Sequence, residues 1–592
     1  MGLAAVMLAA AGVGVPVDAG VATTVIGNST VVEAQGSLIA PPTARISGAD
    51  RYATAVEVSR HAFPTQGSAR SVYLARGDIF ADSLTAGTLV DGPVLLVRPD
   101  CRAVTSGVMA EVERLRPDRV VALGGEAAVC DEQLAAAAAG RSTHRLGGAD
   151  RFQTAAAIAH DGFPEGARTV YLINGDITPD AVVGGSLGDG PMLLTTRDGA
   201  QLPESTLEAI ALLDPDEVVA LGGTAVVSDG ALAVAGEERR TARIGGTDRY
   251  ATARAVAQRA YPEPTGRAYV ARGDGSDFVD ALVAGVLTDG PVLLAAGPCR
   301  PVNAQTRAAL GDLRPDEVVA LGGTSAVCAP LLNGAAMAAR GSVDCEVSAC
   351  VALTYDDGPS TRTPTILEIF ASARVPATFY LVGSRAAARP QDTMRTQIEG
   401  HEIGNHSYDH VRLNTLSLAA QRDQIDRTDD VMVSLGLPVP RTLRPPYLAF
   451  DGATRELGKP VVIADVIPDD HVGYSAAVIR KYVADHVQPG SIVLLHDHLL
   501  QTQEATPLII DDLHARGYTF VTVSELVPEA APGDLVYSRG TIIPRSTSAS
   551  MRDLIELPDG RVIGPVVDTA GVPGLAPELT REEVLGPDDD AG

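Results

Sequence analysis

Three copies of one motif mark the first half of the chain: RISGADRYATA at residues 45–55, RLGGADRFQTA at residues 145–155 and RIGGTDRYATA at residues 243–253. The strings GD, DGP and VVALGG recur in the same register after each copy. Within a copy, strand-like runs such as SVYLARGD and PVLLV alternate with Ala-rich helical runs such as TAVEVSRHAF, which predicts βαβ units with a parallel sheet. The period is far longer than that of solenoids, so each copy can hold its own small core.

The cysteines follow the same repeat. The first and third copies each carry two cysteines 29 residues apart, and the second copy lacks both. The absence of both cysteines from one copy indicates that they form a disulfide in the others, because a single remaining cysteine would be a reactive thiol. The expected pairs are Cys101 with Cys130, Cys299 with Cys328, and Cys345 with Cys350. Three disulfides indicate an oxidising location outside the cytoplasm. Metal binding by cysteine is the rival interpretation, but the chain has no CxxC pair.

The repeats resemble the type 2 cell-wall-binding repeat of Gram-positive surface proteins, which typically occurs as three tandem copies. All three copies keep the signature R-[IL]-x-G-x-D-R-[YF]-x-T-A. The resemblance implies three Rossmann-like βα units in a pseudo-threefold arrangement, which hold the protein to anionic wall polymers. Within the signature, Arg51, Arg151 and Arg249 are the candidate polymer contacts. The alternative is that each arginine only pairs with the neighbouring aspartate and holds its loop.

The second half of the chain has a different pattern, in which strand-like and helix-like runs alternate from Val351 to Val527. The candidate strands are VALTYDD, ATFYLVG, HEIGNHS, TLRPPY, VVIADV, SIVLLHD and TFVTVSE. Seven strands with helices between them predict a (β/α) barrel, whose active site lies where the strands end. The fold class expected for the chain is therefore α/β, with three repeat units followed by a distorted barrel.

Ionisable side chains stand where these strands end. They are Asp356, Asp357, His406, His410, Arg444 and His496. The string HSYDH places His406 and His410 four residues apart, a spacing that allows both to bind one metal ion. Asp357 is the third expected ligand, Asp356 the expected base and His496 the expected acid. Taken singly, Asp-Asp-Gly-Pro also suits a polar turn, and the histidine spacing also arises by chance.

The same residues fall in five short motifs whose order resembles that of the polysaccharide deacetylase family, carbohydrate esterase family 4, also called the NodB-homology domain. The motifs are TYDDGP, HSYDH, RPPY, DVIPDDH and IVLLH. The resemblance implies that Arg444 holds the base Asp356, and that Asp470 tunes the acid His496. It also implies a substrate pocket, whose expected members are Pro446, the backbone NH of Tyr447, Leu494 and His471.

Two positions depart from the family pattern. His471 stands where the family usually has Trp, so one wall of the acetyl pocket is smaller and more polar. Leu448 follows RPPY, where the family often has Gly. Because every expected catalytic and metal position is retained, we expect an active enzyme.

The resemblance implies a metal-dependent hydrolase of carbon–nitrogen bonds other than peptide bonds. It would remove acetyl groups from N-acetylglucosamine-type residues, with peptidoglycan as the expected polymer. Zn²⁺ is the expected metal, and another divalent ion such as Co²⁺ would suit the same ligands. Two alternatives are a wall-attached surface or adhesion protein whose repeats carry the function, and an esterase that removes O-acetyl groups from xylan-type polysaccharides with the same residues.

Composition and the first residues bear on the partners and the location. A net charge of −27 over 592 residues argues against nucleic acid as a partner, because phosphate binding needs clustered Lys and Arg. The apolar stretch from Met1 to Val17 resembles a secretory signal, and no later apolar stretch is long enough for a membrane span. We therefore expect a secreted, cell-wall-associated protein.

The expected domains follow from these patterns. They are a signal peptide and leader (1–36), three wall-binding repeats (37–141, 142–239 and 240–340), a deacetylase domain (345–528) and an acidic C-terminal extension (529–592). The extension is expected to be a solvated tail or a packing strap. Its segment DLIELPDGRVIGPVVD can form a hairpin around Pro-Asp-Gly.

Overall fold

The structure is a computed structural model. It describes residues 38–78, 84–175, 179–274, 279–546, 555–556 and 562–563. The expected signal peptide and leader lies outside these residues. Within the described part of the chain, no helix has both the length and the apolar character needed to span a membrane.

Each repeat forms a four-stranded parallel sheet with helices packed against it. The strands are β1 Thr43–Ile46, β2 Ser71–Arg76, β3 Val94–Val97, β4 Arg119–Leu123, β5 Ser142–Leu146, β6 Thr169–Ile173, β7 Met192–Leu194, β8 Glu217–Leu221, β9 Arg240–Ile244, β10 Arg267–Arg272, β11 Val292–Ala295 and β12 Glu317–Leu321. The helices are α1 Arg51–Ala62, α2 Ser106–Leu115, α3 Asp131–Ala138, α4 Arg151–Gly162, α5 Pro179–Val183, α6 Glu204–Leu213, α7 Asp229–Gly236, α8 Arg249–Ala260, α9 Val279–Leu282, α10 Ala304–Leu313 and α11 Ala329–Ala339. The inner strands are almost entirely buried, as apolar strands of a parallel sheet should be.

The repeated Asp-Arg pair starts a helix in each copy. The aspartate is the N-cap, and its carboxylate accepts a hydrogen bond from a backbone NH of the first turn. These aspartates are Asp50, Asp150 and Asp248. The motif therefore marks the same helix start three times.

The first strand of each sequence repeat joins the sheet of another repeat. The sheet orders are β3-β2-β4-β5, β7-β6-β8-β9 and β11-β10-β12-β1. Strand β1 thus pairs with β12, with Thr43 opposite Val318, and links the first repeat to the third. Short 3-10 turns of the three repeats meet at Gly87, Gly185 and Gly285, where a Cβ on Gly285 would lie 2.6 Å from the Gly87 Cα. The exchange closes a ring with the expected pseudo-threefold arrangement.

The second half forms a curled sheet surrounded by helices. Its strands are β13 Cys350–Gly358, β14 Thr378–Leu381, β15 Glu402–Asn405, β16 Val461–Val462, β17 Ser491–His496, β18 Thr519–Phe520, β19 Leu535–Ser538 and β20 Thr541–Ile543. Its helices are α12 Thr363–Ala373, α13 Gly383–Ala388, α14 Pro390–Ile398, α15 Leu418–Ser434, α16 Ala476–His486, α17 Leu500–Ala515 and α18 Val523–Leu526. The strand order β15-β14-β13-β17-β19-β16 is mainly parallel. The expected α/β barrel is therefore present in distorted form.

The barrel closes through a single residue where we expected a strand. In the segment TLRPPY, Leu443 forms isolated bridges to Asn405 and to Val461, which join the two edges of the sheet. The prolines that follow Arg444 have no backbone NH, so the segment cannot extend a hydrogen-bonded ladder. The chain turns away at that point and carries the side chains that follow Leu443 over the end of the barrel.

The C-terminal extension contributes to the barrel. Strand β19 lies between β17 and β16, and its Val536 and Tyr537 are buried. Further along, β21 Ile555–Glu556 and β22 Val562–Ile563 pair antiparallel, as expected for a hairpin around Pro-Asp-Gly. The residues after Ile563 lie outside the described part. The start of the extension thus acts as a packing strap.

The structure pairs the six cysteines as expected: two pairs follow from the repeat, and the third joins the two remaining cysteines. The Cα–Cα distances are 5.6 Å for Cys101–Cys130, 5.3 Å for Cys299–Cys328 and 5.5 Å for Cys345–Cys350.

The third repeat packs directly on the barrel. Gly334 of α11 lies against the backbone carbonyl of Ile398 in α14. Buried Arg340 donates to the carbonyl of Phe520 and forms an ion pair of 2.6 Å with Glu525.

Candidate active site

Three expected metal ligands converge at the end of the barrel strands. Asp357 lies at the end of β13, and His406 follows β15 directly. The His410 Nε2 lies 2.8 Å from the Asp357 Oδ1, and the His406 Nε2 lies 3.4 Å from the same oxygen. The strand ends therefore bring together one carboxylate and two imidazoles from separate parts of the sequence.

The protonation of this cluster suits a divalent cation. The His406 Nδ1 is hydrogen-bonded to the Arg444 carbonyl at 2.7 Å, which places the ring proton on Nδ1 and leaves the Nε2 lone pair for a metal. The Asp357 Oδ1 is buried and receives no hydrogen bond among the described residues. This donor set fits Zn²⁺.

Asp356 has the position of a base beside the metal ligands. Its Oδ1 accepts a hydrogen bond of 2.8 Å from the Nη1 of fully buried Arg444. The other oxygen, Oδ2, lies 4.0 Å from the His406 Nε2. Arg444 is itself fixed by a bond of 2.6 Å to the Thr354 hydroxyl and by stacking on the Tyr380 ring. One carboxylate oxygen is thus held by Arg444, while the other faces the metal cluster.

His496 lies at the end of β17 and is paired with Asp470. Its Nδ1 is 2.7 Å from the Asp470 Oδ1, and the Thr502 hydroxyl donates to Oδ2 of the same carboxylate. Burial lowers the pKa of His496, but the hydrogen bond and the negative charge of Asp470 outweigh it and raise the pKa to about 9. The imidazole is therefore protonated at neutral pH, as a general acid requires.

The expected substrate residues divide into a buried and an exposed group. Pro446 and Leu494 are buried, whereas His471 is exposed with its ring 5.6 Å from the His496 ring. Tyr447 is 49% exposed and has a left-handed backbone with φ of 59°. Among the described residues its backbone NH meets no acceptor. A strained residue with a free NH beside the metal ligands suits an oxyanion donor.

Sequence reasoning missed three supporting residues. Thr354 and Thr502 hold Arg444 and Asp470, as described above. Asp497, directly after His496, accepts a hydrogen bond from the Thr363 hydroxyl and lies against Gly358, the residue after Asp357. Thr354 lies inside the motif TYDDGP and Asp497 directly follows the motif IVLLH, and these places were the available signal.

The candidate wall-binding arginines each bond to their own repeat. The Nη1 atoms donate to the backbone carbonyls that follow the second strand of each sheet. The bonds are 2.8 Å for Arg51 to Gly77, 2.7 Å for Arg151 to Gly175 and 2.7 Å for Arg249 to Gly273. Contact of these arginines with a wall polymer stays a prediction.

The two halves of the chain match different protein families. Residues 344–461 match the polysaccharide deacetylase family, and residues 45–134, 145–232 and 243–330 each match cell wall binding domain 2. The peptidoglycan-N-acetylglucosamine deacetylase PgdA of Listeria monocytogenes is 35% identical over 181 residues, which cover 30% of this chain and 39% of that protein. The peptidoglycan-N-acetylglucosamine deacetylase of Bacillus cereus is 36% identical over 186 residues, covering 30% and 67%. The chitin deacetylase of Colletotrichum lindemuthianum is 32% identical over 206 residues, covering 32% and 83%.

The extent of these matches bears on what they show. The chain spans 39% of the length of the Listeria protein, but 83% of the length of the chitin deacetylase. The matches agree with the geometry at the strand ends and with the three repeated sheets. The chain belongs to the polysaccharide deacetylase family and carries three copies of cell wall binding domain 2 ahead of its deacetylase domain.

Proposed function

We propose that the protein is a secreted, wall-attached, Zn²⁺-dependent deacetylase that removes acetyl groups from N-acetylglucosamine-type residues of peptidoglycan. The observation that carries this proposal is the convergence of Asp357, His406 and His410 between the base Asp356 and the protonated acid His496. Acid, base and metal ligands are the parts that amide hydrolysis needs.

The residues divide the work of amide hydrolysis. Zn²⁺ held by Asp357, His406 and His410 would supply a Lewis acid for water and for the acetamide carbonyl. The free Oδ2 of Asp356 takes the proton of the attacking water, while Arg444 keeps the other oxygen occupied. The backbone NH of Tyr447 donates to the oxygen that becomes negative.

His496 completes the reaction. As the carbon–nitrogen bond breaks, protonated His496 gives its Nε2 proton to the leaving sugar amine. The proton taken by Asp356 balances the one given by His496, and the products are acetate and a free glucosamine residue. Asp470 fixes the His496 ring by binding Nδ1, which leaves Nε2 as the nitrogen that can give a proton.

The choice of substrate rests on the relatives and on the repeats. Two of the similar proteins described above are peptidoglycan deacetylases by name, and the wall-binding repeats would hold the catalytic domain at the same polymer. The three disulfides suit an oxidising location outside the cytoplasm.

Acetate release from three polymers tests the proposal. Purified protein is assayed on peptidoglycan, chitin oligomers and acetylated xylan, before and after chelation and after refilling with Zn²⁺ or Co²⁺. We expect release from the N-acetylated glycans, loss of activity on chelation and in D356N and H406A, and recovery with metal. Full activity in both variants would contradict the mechanism, and greater release from acetylated xylan would show an O-acetyl esterase.

Wall attachment is tested separately with the catalytically inactive D356N chain. We expect this chain to sediment with purified cell walls and to be released by an excess of soluble anionic wall polymer. Sedimentation without acetate release by the wild-type chain would instead support a surface or adhesion protein.

A further inference from the structure

A stacked arginine stands at the rim of the active site. The guanidinium carbon of Arg412 lies 4.6 Å from the centroid of the Tyr447 ring. That ring in turn lies 4.7 Å from the ring of the metal ligand His410. Arg412 is exposed and Tyr447 is half exposed. Arg412, Tyr447 and His410 thus form a row of contacts that runs from solvent to the candidate metal ligands.

The donors of Arg412 are uncommitted within the described residues. Its guanidinium forms no ion pair and no side-chain hydrogen bond there, and stacking on Tyr447 is its one recorded contact. Arg427 provides an internal comparison, because it stacks on Tyr408 at 3.6 Å but also pairs with Asp409 at 2.9 Å. Stacking fixes the orientation of both guanidinium groups. The NH groups of Arg427 are already paired with Asp409, whereas those of Arg412 can donate to a ligand.

Two further arginines bond to the backbone of the site, at Asp357 and at His498. The Arg385 Nη1 donates to the backbone carbonyl of Asp357 at 2.5 Å, and the Arg362 Nε donates to the carbonyl of His498 at 3.2 Å. Neither arginine pairs with a carboxylate side chain among the described residues. Arg362 and Arg385 therefore keep a positive charge without a carboxylate partner beside the backbone of Asp357 and His498, within the described residues.

We propose that Arg412, held on the Tyr447 ring, binds a carboxylate carried by the glycan beside the residue that is deacetylated. A carboxylate accepts two parallel hydrogen bonds from a guanidinium fork, which adds both affinity and register. The position of Arg412 beyond Tyr447 suits a group on the adjoining sugar and not the acetamide itself. This inference rests on the proposed function and narrows its substrate to wall glycan whose lactyl carboxyl is free of a stem peptide, since an amide-linked lactyl group, chitin and unsubstituted xylan carry no carboxylate at this place.

The test compares two forms of one oligosaccharide. The probes are an N-acetylglucosamine–N-acetylmuramic acid oligosaccharide with its free lactyl carboxylate, and the methyl ester of the same compound. We expect the wild-type enzyme to show a kcat/KM about tenfold higher for the acid than for the ester, through a lower KM. In R412Q the ratio should fall to about one, mainly because KM for the acid rises. The advantage of the acid should also weaken at high salt.

Arg427→Gln is the matched control, because it removes a stacked arginine whose donors are already paired. We expect R427Q to keep the wild-type preference for the acid. A wild-type ratio near one, or a ratio that survives in R412Q, would overturn the inference. If either result is found but both probes still release acetate, the proposed deacetylase function stands. If neither probe nor chitin oligomers release acetate, the proposed deacetylase function is contradicted as well.

Discussion

At the scale of single residues, buried pairs set the protonation state of the proposed catalytic groups. Asp470 is fully buried and accepts bonds from the ring and the backbone NH of His496 and from Thr502. Burial would raise the pKa of the Asp470 carboxyl, but these bonds lower it, so the carboxylate stays charged. Its charge keeps His496 protonated up to a pKa of about 9. A general acid works below its pKa, so activity should fall as the pH rises through that value.

Asp470→Asn should move the alkaline limb of the pH–rate profile to lower pH. The amide keeps the shape but removes the charge that raises the pKa of His496. We expect the largest loss of kcat above neutral pH, by about tenfold or more at pH 8. Acetate release measured from pH 5 to 10 checks this expectation. Asp465→Asn is the control, since burial already raises the pKa of Asp465 to about 6 and its partners Ser491 and Ile492 lie outside the site. An unchanged limb in D470N would argue against His496 as the acid.

At the scale of elements, the interface that closes the ring of repeats lacks an ion pair that its two counterparts have. Arg145 pairs with Asp131 and Arg243 pairs with Asp229, each at 2.8 Å. Within the described part of the chain, the equivalent Arg45 donates to backbone carbonyls and to no carboxylate, because the first residue of α11 is Ala329. Asp131 and Asp229 are likewise the first residues of their helices.

Ala329→Asp should therefore stabilise the ring. Ala329 is exposed, and an aspartate there would reach Arg45 and also favour the helix N-terminus. We expect a gain of about 0.5 kcal/mol, because exposed ion pairs contribute little. Thermal unfolding at low salt would show a small rise in Tm, which 0.5 M NaCl should reduce. Ala329→Asn is the uncharged control, and an equal rise in that variant would assign the effect to helix capping alone.

The strap strand β19 supports the barrel at the same scale. Val536 is fully buried between β17 and β16, so Val536→Asp would bury an unpaired carboxylate. We expect a loss of about 3 kcal/mol in the free energy of unfolding of the deacetylase domain. Val433→Asp on α15 is the control, since Val433 is 57% exposed and should lose less than about 0.5 kcal/mol. Equal Tm values for both variants would show that the strap is dispensable.

At the scale of the whole molecule, the third repeat and the barrel share a packed interface. Gly334 makes it possible, because a Cβ at this position would lie 2.0 Å from the Ile398 carbonyl. The Arg340–Glu525 ion pair and the hydrogen bond from Ala40 to the Arg374 carbonyl lie in the same interface. The wall-binding repeats and the catalytic domain are therefore held by direct packing.

Gly334→Ala should loosen this interface. The methyl group meets backbone, so α11 and α14 must separate, at a cost of about 2 kcal/mol. We expect amide hydrogen exchange in both helices to be faster by tenfold or more. Gly107→Ala is the control, because a Cβ on that helical glycine meets nothing within 4 Å. Unchanged amide exchange rates in G334A would show that the interface accommodates the methyl group with no loss of stability.

The repeat, the disulfide pairs and the positions of the candidate site residues at strand ends could be predicted from the order of residues alone. Each depends on local patterns: a helix start marked by Asp-Arg, paired cysteines that are lost together, and motifs placed where buried strands end. Such patterns can be recognised in a sequence because a few neighbouring residues determine local backbone geometry and burial. The strands VALTYDD and SIVLLHD, with the groups they carry, were predictable for this reason.

Other features depended on contacts between distant segments. The exchange of β1 into the third sheet, the insertion of β19 between β17 and β16, and the stack of Arg412 on Tyr447 join residues that no local pattern links. The pKa of His496 likewise depends on burial and on Asp470, which folding brings within 2.7 Å. Sequence patterns name the groups that can react, but only tertiary packing excludes water, sets their distances and so decides their charge.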